Sequence, residues 1–256
     1  MILRMTLVFQ SLLPPLMLGS QSSRLRFRGG THNLMAPPFD FLSSAYLPQV
    51  GQLGPVVSCE LLRYGFYPRG GGEFSATIRP AARLAALELL ERGKLIRRQV
   101  TAIVSQLPVS IAQREVNRIQ AKSGWPKKCF RIIEVSEPAG PGNVVLIEVV
   151  YQNVTEVFTG FGQRGVPAEK VADSAWRELQ RYLKSDAPVG EHLADQLLLP
   201  LAIGAYFGSG GGQFRTTPLS RHSTTQLELL PMFLNVDIDL LDAGGDVVLS
   251  IQPVDS

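Results

Sequence analysis

Met5 to Leu18 is an almost unbroken apolar run closed by Gly19, and this pattern predicts a helix. Leu25 to Phe27 then reads as a short strand, Gly29-Gly-Thr-His-Asn33 as a loop, and a helix begins near Phe39. Val56 to Arg63 and Glu73 to Ile78 read as strands on either side of a glycine turn. The texture changes from about Leu95 to Lys184. Leu95 to Leu107 predicts a strand, Val109 to Lys122 a helix and Phe130 to Val135 another strand. Turn residues mark Pro138-Ala-Gly-Pro-Gly-Asn143 as a loop. The β-branched run Val144 to Tyr151 and the segment Glu156 to Gly160 predict a hairpin. Pro167 is a favoured first helical residue, and the helix it opens places Val171, Ala175, Trp176, Leu179, Tyr182 and Leu183 on one face. The closing pattern is a helix at Gly190 to Ile203, a strand at Gln213 to Thr217, a helix at Thr224 to Phe233, and strands at Val236 to Leu241 and Asp246 to Ile251.

Two echoes link the ends of the chain. Gln10-Ser-Leu-Leu-Pro-Pro-Leu-Met-Leu-Gly19 is answered by Gln196-Leu-Leu-Leu-Pro-Leu-Ala-Ile-Gly204, and Arg69-Gly-Gly-Gly-Glu-Phe74-Ser-Ala-Thr77 by Ser209-Gly-Gly-Gly-Gln-Phe214-Arg-Thr-Thr217. The expected fold is therefore mixed α/β, of the α+β kind. Repeated units at 1–94 and 185–256 form one large domain, interrupted by a small α/β domain at 95–184.

Composition supports a globular chain. Of 256 residues 45% are hydrophobic and 18% charged, which is enough apolar material for a packed core and excludes disorder as the dominant state. A formal net charge of +3 hints only mildly at a polyanionic partner. Cys59 and Cys129 have neither CxxC spacing nor a neighbouring histidine, so no disulfide framework or zinc site is suggested and a reducing, cytoplasmic setting fits. Arg4 followed by the Met5 to Leu18 run also mimics a secretory signal, against which stand Gln10 and the Pro14-Pro15 pair. The run is too short for a confident membrane span, and no membrane partner is expected.

Three histidines are the natural candidates for chemistry near neutral pH. His32 sits in a glycine-flanked loop, where capping the next helix is the plainer reading, and His192 lies on the first turn of the helix carrying Asp195 and Gln196. His222 lies at a strand-to-helix connection crowded with Ser220, Ser223, Thr224 and Thr225, a place where an imidazole could meet a phosphate. The glycine clusters at Gly70 to Gly72 and Gly210 to Gly212 match neither a Walker loop nor GxGxxG before a helix, so turn geometry is their plainer purpose. The basic residues Lys94, Arg97, Arg98, Lys127 and Lys128 read as solvated surface or as an RNA-facing patch.

Longer blocks carry a resemblance. Arg28-Gly-Gly-Thr-His-Asn-Leu-Met-Ala-Pro-Pro38-Phe-Asp40, Arg63-Tyr-Gly-Phe-Tyr-Pro-Arg-Gly-Gly-Gly72, Gln163-Arg-Gly-Val-Pro-Ala-Glu169 and Val189-Gly-Glu-His-Leu-Ala-Asp-Gln-Leu197 resemble, in order and spacing, blocks of the RNA 3'-terminal phosphate cyclases. The resemblance implies a large domain of repeated βαβαββ-like units with a small α/β insert. Such units are similar to the C-terminal domain of bacterial translation initiation factor 3 and, more distantly, to enolpyruvyl transferases. It implies that His222 accepts AMP from ATP and that His192, Leu193, Ala194, Asp195 and Gln196 form a nucleotide-binding segment. Gln10 matches a further ATP-contacting glutamine, and Pro38 a position near the adenine. Asp195 would orient the imidazole or hold a divalent metal, Mg or Mn. The implied partner is RNA with a 3'-terminal phosphate. The family pattern also includes a first repeat, with a Gly-rich block and phosphate-binding arginines, which the sequence does not show before Met1, and a Thr-Asn pair where Thr225-Gln226 stands here. A non-catalytic cyclase-like protein, a carboxyvinyl transferase and an inactive shortened cyclase are the competing expectations.

Overall fold

The computed structural model describes residues 4–207 and 210–254. The apolar run is helix α1 (Met5–Met17), and Met5, Phe9, Leu13 and Met17 all point into the core. The run is thereby accounted for as core. Strand β1 (Ser23–Gly29) follows, then a helical stretch in three parts: α2 (Phe39–Phe41), a π-helical turn (Leu42–Tyr46) and α3 (Leu47–Gln52). Strands β2 (Val56–Arg63) and β3 (Gly72–Arg79) complete an antiparallel sheet ordered β1-β3-β2. A short strand, β4 (Leu87–Leu89), leads out of this unit.

Residues 95–183 build a second sheet from β5 (Leu95–Ser105), β6 (Phe130–Glu134), β7 (Gly142–Tyr151) and β8 (Thr155–Phe161), ordered β6-β5-β7-β8. Helices α4 (Val109–Ser123) and α5 (Ala168–Leu183) cover one face of it, around a cluster of their own that includes Val100, Val104, Val116, Ile147 and Leu179. Arg114 holds Glu169, while Arg118 and Lys122 hold Asp173, so the exposed rims of the two helices are laced together. Pro167 is the N-cap of α5 and not its first helical residue, and Leu183, expected on the buried face, is 40% exposed while Ala172 is buried.

Returning to the first core, the chain forms α6 (Glu191–Tyr206), β9 (Gly212–Thr216), α7 (Arg221–Phe233), β10 (Val236–Ala243) and β11 (Asp246–Pro253). Their sheet is ordered β10-β11-β9-β4, with β4 parallel to β9. The succession α1-β1-helix-β2-β3 thus recurs as α6-β9-α7-β10-β11, with the last strand central each time. Even the entries match: Arg4 makes a parallel bridge to Gly30 and Val189 one to Thr216.

Only one of the two sequence echoes marks equivalent positions. Gln10 and Gln196 are each the sixth residue of α1 and α6, the opening helices of the units. The glycine echo is offset, because Gly70 to Gly72 feed β3, the last strand of its unit, whereas Gly210 to Gly212 feed β9, the first strand of the other. Ser209, at the head of that echo, lies outside the described residues. Backbone crowding explains both clusters: a Cβ on Gly72 would strike the backbone of Gly65, and one on Gly212 the backbone of Leu87, where Gly212 also has φ 121°.

Candidate functional site

Helix α6 is the common neighbour of the fold, packed by α1, the π-helical turn, α3 and α7. Its entry is tied down twice. Val189 N–H donates to the Arg215 carbonyl at 3.2 Å, and Gly190 N–H donates to Glu156 Oε1 at 2.6 Å. The first turn therefore sits at a fixed point between β8 and β9, and His192 through Gln196 follow from it.

Chemically, the next tie is the informative one. From β9 the chain runs through Pro218 to Ser220, whose side chain caps α7 by accepting the Ser223 N–H at 3.0 Å. Ser220 Oγ in turn donates to Asp195 Oδ1 at 2.5 Å, and Ser223 Oγ donates to the same oxygen. Gln226 Nε2 adds a bond to the Asp195 carbonyl at 3.0 Å. Asp195 is thus buried at the junction of two helices, fastening the segment His192–Gln196 to the first turn of α7. His222 is the second residue of that turn and is exposed. The helix begins at Arg221, three residues before the sequence suggests, because Ser220 supplies the cap. The positive end of α7 favours an anion beside the imidazole.

The remaining candidates fall into different environments. Leu193 and Ala194 are fully buried core residues, so only their backbone can serve a ligand. Pro38 is the buried N-cap of α2. Gln10 is the odd one: both polar atoms of its amide are buried without a hydrogen-bond partner among the described residues, as is Thr216 Oγ1 at the end of β9. Buried amides are normally satisfied, and an unsatisfied one is what a polar ligand such as a nucleotide would complete. Among the described residues no three His, Cys, Asp or Glu side chains gather as a metal site. Asp195 offers one oxygen with no hydrogen bond among the described residues, which suits a hard cation carried in on phosphates and water.

His32, by contrast, is fully employed. It is buried with Nδ1 2.8 Å from Thr31 Oγ1 and Nε2 2.7 Å from Asp40 Oδ2, which makes it a brace across the start of α2. His192 is mostly exposed, with Nε2 4.0 Å from Glu178 Oε2. Burial raises the Glu178 carboxyl, against the pull of His192 and Arg181. These three line a cleft of about 840 Å3 between α5 and the second repeated unit, with Glu156, Arg215 and the turn at Gly244. His222, Asp195 and Gln10 do not line it. Of the basic residues of the insert, Arg97 is held by Glu148, Arg98 lies over the Trp125 ring, and Lys94, Lys127 and Lys128 are exposed.

Glu156 had no signal in the sequence, where it is one charge in a β-branched run. Burial pushes its carboxyl up to about 8, opposed by the Gly190 N–H and by Arg92. Glu115, buried with Asn143 as its partner, is pushed up to about 7 by the same cause. Both groups bind protons more tightly folded than unfolded, so the stability they permit is full below about pH 4.5 and is lost as pH rises toward 8. Melting curves at pH 5 and pH 8 should show a smaller difference for Glu156→Gln than for the unaltered protein. Equal differences would show that Glu156 is not a buried acid.

Comparison with known proteins gives the family. The family described as RNA 3'-terminal phosphate cyclase matches residues 4–240. The chain belongs to that family. It is 45% identical over 243 residues to the RNA 3'-terminal phosphate cyclase of Ectopseudomonas mendocina, a match covering 95% of this chain and 70% of that protein. With the protein of the same name from Koribacter versatilis it shares 43% identity over 235 residues, 92% of this chain and 65% of the other. The Salmonella paratyphi C protein of that name is 36% identical over 250 residues, 98% and 71% of the two chains. Family membership carries the expectation of an enzyme acting on RNA, and the mixed α/β architecture agrees with it. No helix among the described residues is long and apolar enough to cross a membrane.

Asp195 gives a direct test of the helix junction. Asp195→Ala removes the acceptor for two hydroxyls and should cost about 1–3 kcal/mol, with faster hydrogen exchange in the first turn of α7. Asp195→Asn keeps an acceptor oxygen and should lose less. An alanine variant that melts like the unaltered protein would show that the carboxylate does not hold the junction.

Proposed function

We propose that this chain converts the 3'-terminal phosphate of an RNA to a 2',3'-cyclic phosphodiester at the expense of ATP, through an adenylyl group carried on His222. The observation that supports it best is the Asp195 junction. One carboxylate binds Ser220 and Ser223, and so fastens the first turn of α7, which carries the exposed His222 at the positive end of that helix, to the segment His192–Gln196 of α6. The relatives' shared name supplies the substrate.

In this reading an imidazole nitrogen of His222 attacks the α-phosphorus of ATP, forming a P–N bond as the bond to pyrophosphate breaks. The 3'-phosphate of the RNA then takes the adenylyl group, breaking the P–N bond. The neighbouring 2'-hydroxyl attacks the activated 3'-phosphorus, loses its proton and expels AMP. Both partners of that last step sit on one ribose, so it needs little beyond alignment. Gln10, Pro38 and Gln196 would hold the nucleotide, with the unpaired Gln10 amide as its polar contact. A divalent cation, Mg or Mn, would offset the charge leaving on pyrophosphate, with Asp195 its protein ligand. The unpaired thiols of Cys59 and Cys129 support a cytoplasmic setting.

Incubation with α-labelled ATP and a divalent cation tests the first step. The reading expects label bound to the protein, stable to alkali and released by acid, as for a phosphorus–nitrogen bond. Label that is absent, or stable to acid, would contradict it.

A further inference from the structure

The first sheet has two unlike faces. Phe27 of β1 and Phe74 and Ile78 of β3 point toward α1, where Phe9 meets both aromatic rings. Alternation then sends Arg24, Arg26 and Arg28 of β1, Ser75, Thr77 and Arg79 of β3, and Val56, Ser58 and Glu60 of β2 to the other face, away from the helices.

Register arranges these side chains as a grid. Arg24 pairs with Thr77 and Thr77 with Ser58, so guanidinium, hydroxyl and hydroxyl lie in one row across the strands. In the adjacent row Val56 pairs with Arg79, and Ser22 precedes the Ser23–Ile78 pair on the far side. Arg24 and Arg79 are therefore diagonal neighbours, with Cβ atoms about 7–8 Å apart. Ser22, Arg24, Val56, Ser58, Thr77 and Arg79 together line a shallow depression.

Charge divides this face. Glu73 holds both Arg26 and Arg28. Among the described residues, neither Arg24 nor Arg79 has a carboxylate within 4.0 Å, although both are exposed. Two uncommitted guanidinium groups, which can only donate, stand beside three hydroxyls that can donate as well, and phosphate oxygens are the natural complement of such a donor-rich lining.

We propose that Arg24 and Arg79, with the hydroxyls of Ser22, Ser58 and Thr77, form a phosphate-binding subsite for an internal phosphodiester of the RNA, upstream of its reacting end. The identity of the nucleic acid rests on the proposed function; the subsite itself rests on the sheet. It is separate from the chemistry, because the sheet and its Phe27–Phe74 layer stand between this face and the helices, and His222 lies on α7 beside a different sheet. An anion held here is not the reacting phosphate. Recognition through the phosphate backbone alone would make binding independent of base sequence and sensitive to salt.

The test measures binding of end-labelled RNAs about 4 and about 20 nucleotides long, ending in a 3'-phosphate or a 3'-hydroxyl, across a series of salt concentrations. Arg24→Ala/Arg79→Ala removes two guanidinium partners of phosphate and should weaken the long RNA roughly tenfold or more. The slope of log K against log salt should shrink by about 0.7 for each phosphate no longer neutralised. The same weakening should appear with either 3' end, whereas the short RNA should bind alike to both proteins. Arg24→Lys/Arg79→Lys should keep the salt slope and give up only part of the affinity. Histidine-bound label from ATP should be unchanged in both variants, and melting curves will show that the exposed substitutions leave the fold intact.

Equal affinities and slopes for the alanine variant and the unaltered protein would overturn the subsite. So would a loss of binding to phosphatidylserine vesicles with RNA binding unaffected, since that would make the face a membrane-binding one. If the unaltered protein takes no histidine label yet shows the length- and salt-dependent weakening, the cyclase reading fails and the subsite stands.

Discussion

His222→Ala should leave no acid-labile AMP on the protein and should lower RNA cyclisation by about 10^4-fold or more, the scale on which removing a covalent nucleophile acts. The nearest hydroxyls and the other two histidines are engaged or placed elsewhere. The Ser220 and Ser223 hydroxyls are both spent on Asp195. His32 is buried between Thr31 and Asp40, and His192 is on another helix, lining a cleft that does not include the α7 turn. The fold should not notice the change, because His222 is exposed and makes no side-chain bond among the described residues. The variant should therefore melt with the unaltered protein. Label of undiminished yield on His222→Ala would place the adenylyl group elsewhere.

Phe74→Ala should produce the largest loss of stability, about 3–5 kcal/mol by urea unfolding. Phe74 is completely buried on the central strand of the first sheet. Its ring stacks on Phe27 at 4.7 Å and meets Phe39 at 5.5 Å and Phe9 at 6.0 Å, so one side chain joins β1, α1 and the start of α2. Truncation leaves a void that three aromatic rings from different elements cannot all close. Phe74→Leu refills most of the volume and should cost much less. A loss under about 1 kcal/mol for the alanine variant would mean that the aromatic layer is not what joins the sheet to its helices.

Much of the fold could be read directly because its periods are clean. The Met5 to Leu18 run, the β-branched Val144 to Tyr151 and the amphipathic stretch after Pro167 each became the expected element. Strand β4 escaped, since three residues at Leu87–Leu89 form a strand only by pairing with β9, far along the chain. The glycine echo misled because similar turns serve unlike strands: backbone crowding selects glycine wherever two chains approach closely, whatever their place in a repeat.

The candidate site could be named from the sequence as a set of residues but not as an arrangement. His222 and Asp195 are both candidates in the sequence, but the bonds from Ser220 and Ser223 that fasten Asp195 to the turn carrying His222 show only once α6 and α7 pack. The earlier start of α7 follows from the same bond, because the residue that caps the helix also anchors Asp195. Glu156 was invisible for a related reason. Its weight comes from burial under Gly190, which no local pattern records.

The most direct measurement supplies the protein with an RNA whose 3'-terminal phosphate is radiolabelled, together with ATP and a divalent cation, and then treats the product with phosphatase. The label should become resistant to phosphatase, in an ATP-dependent manner, because the phosphate now closes a 2',3' ring. Label that remains fully removable, with ATP present and the RNA bound, would contradict it.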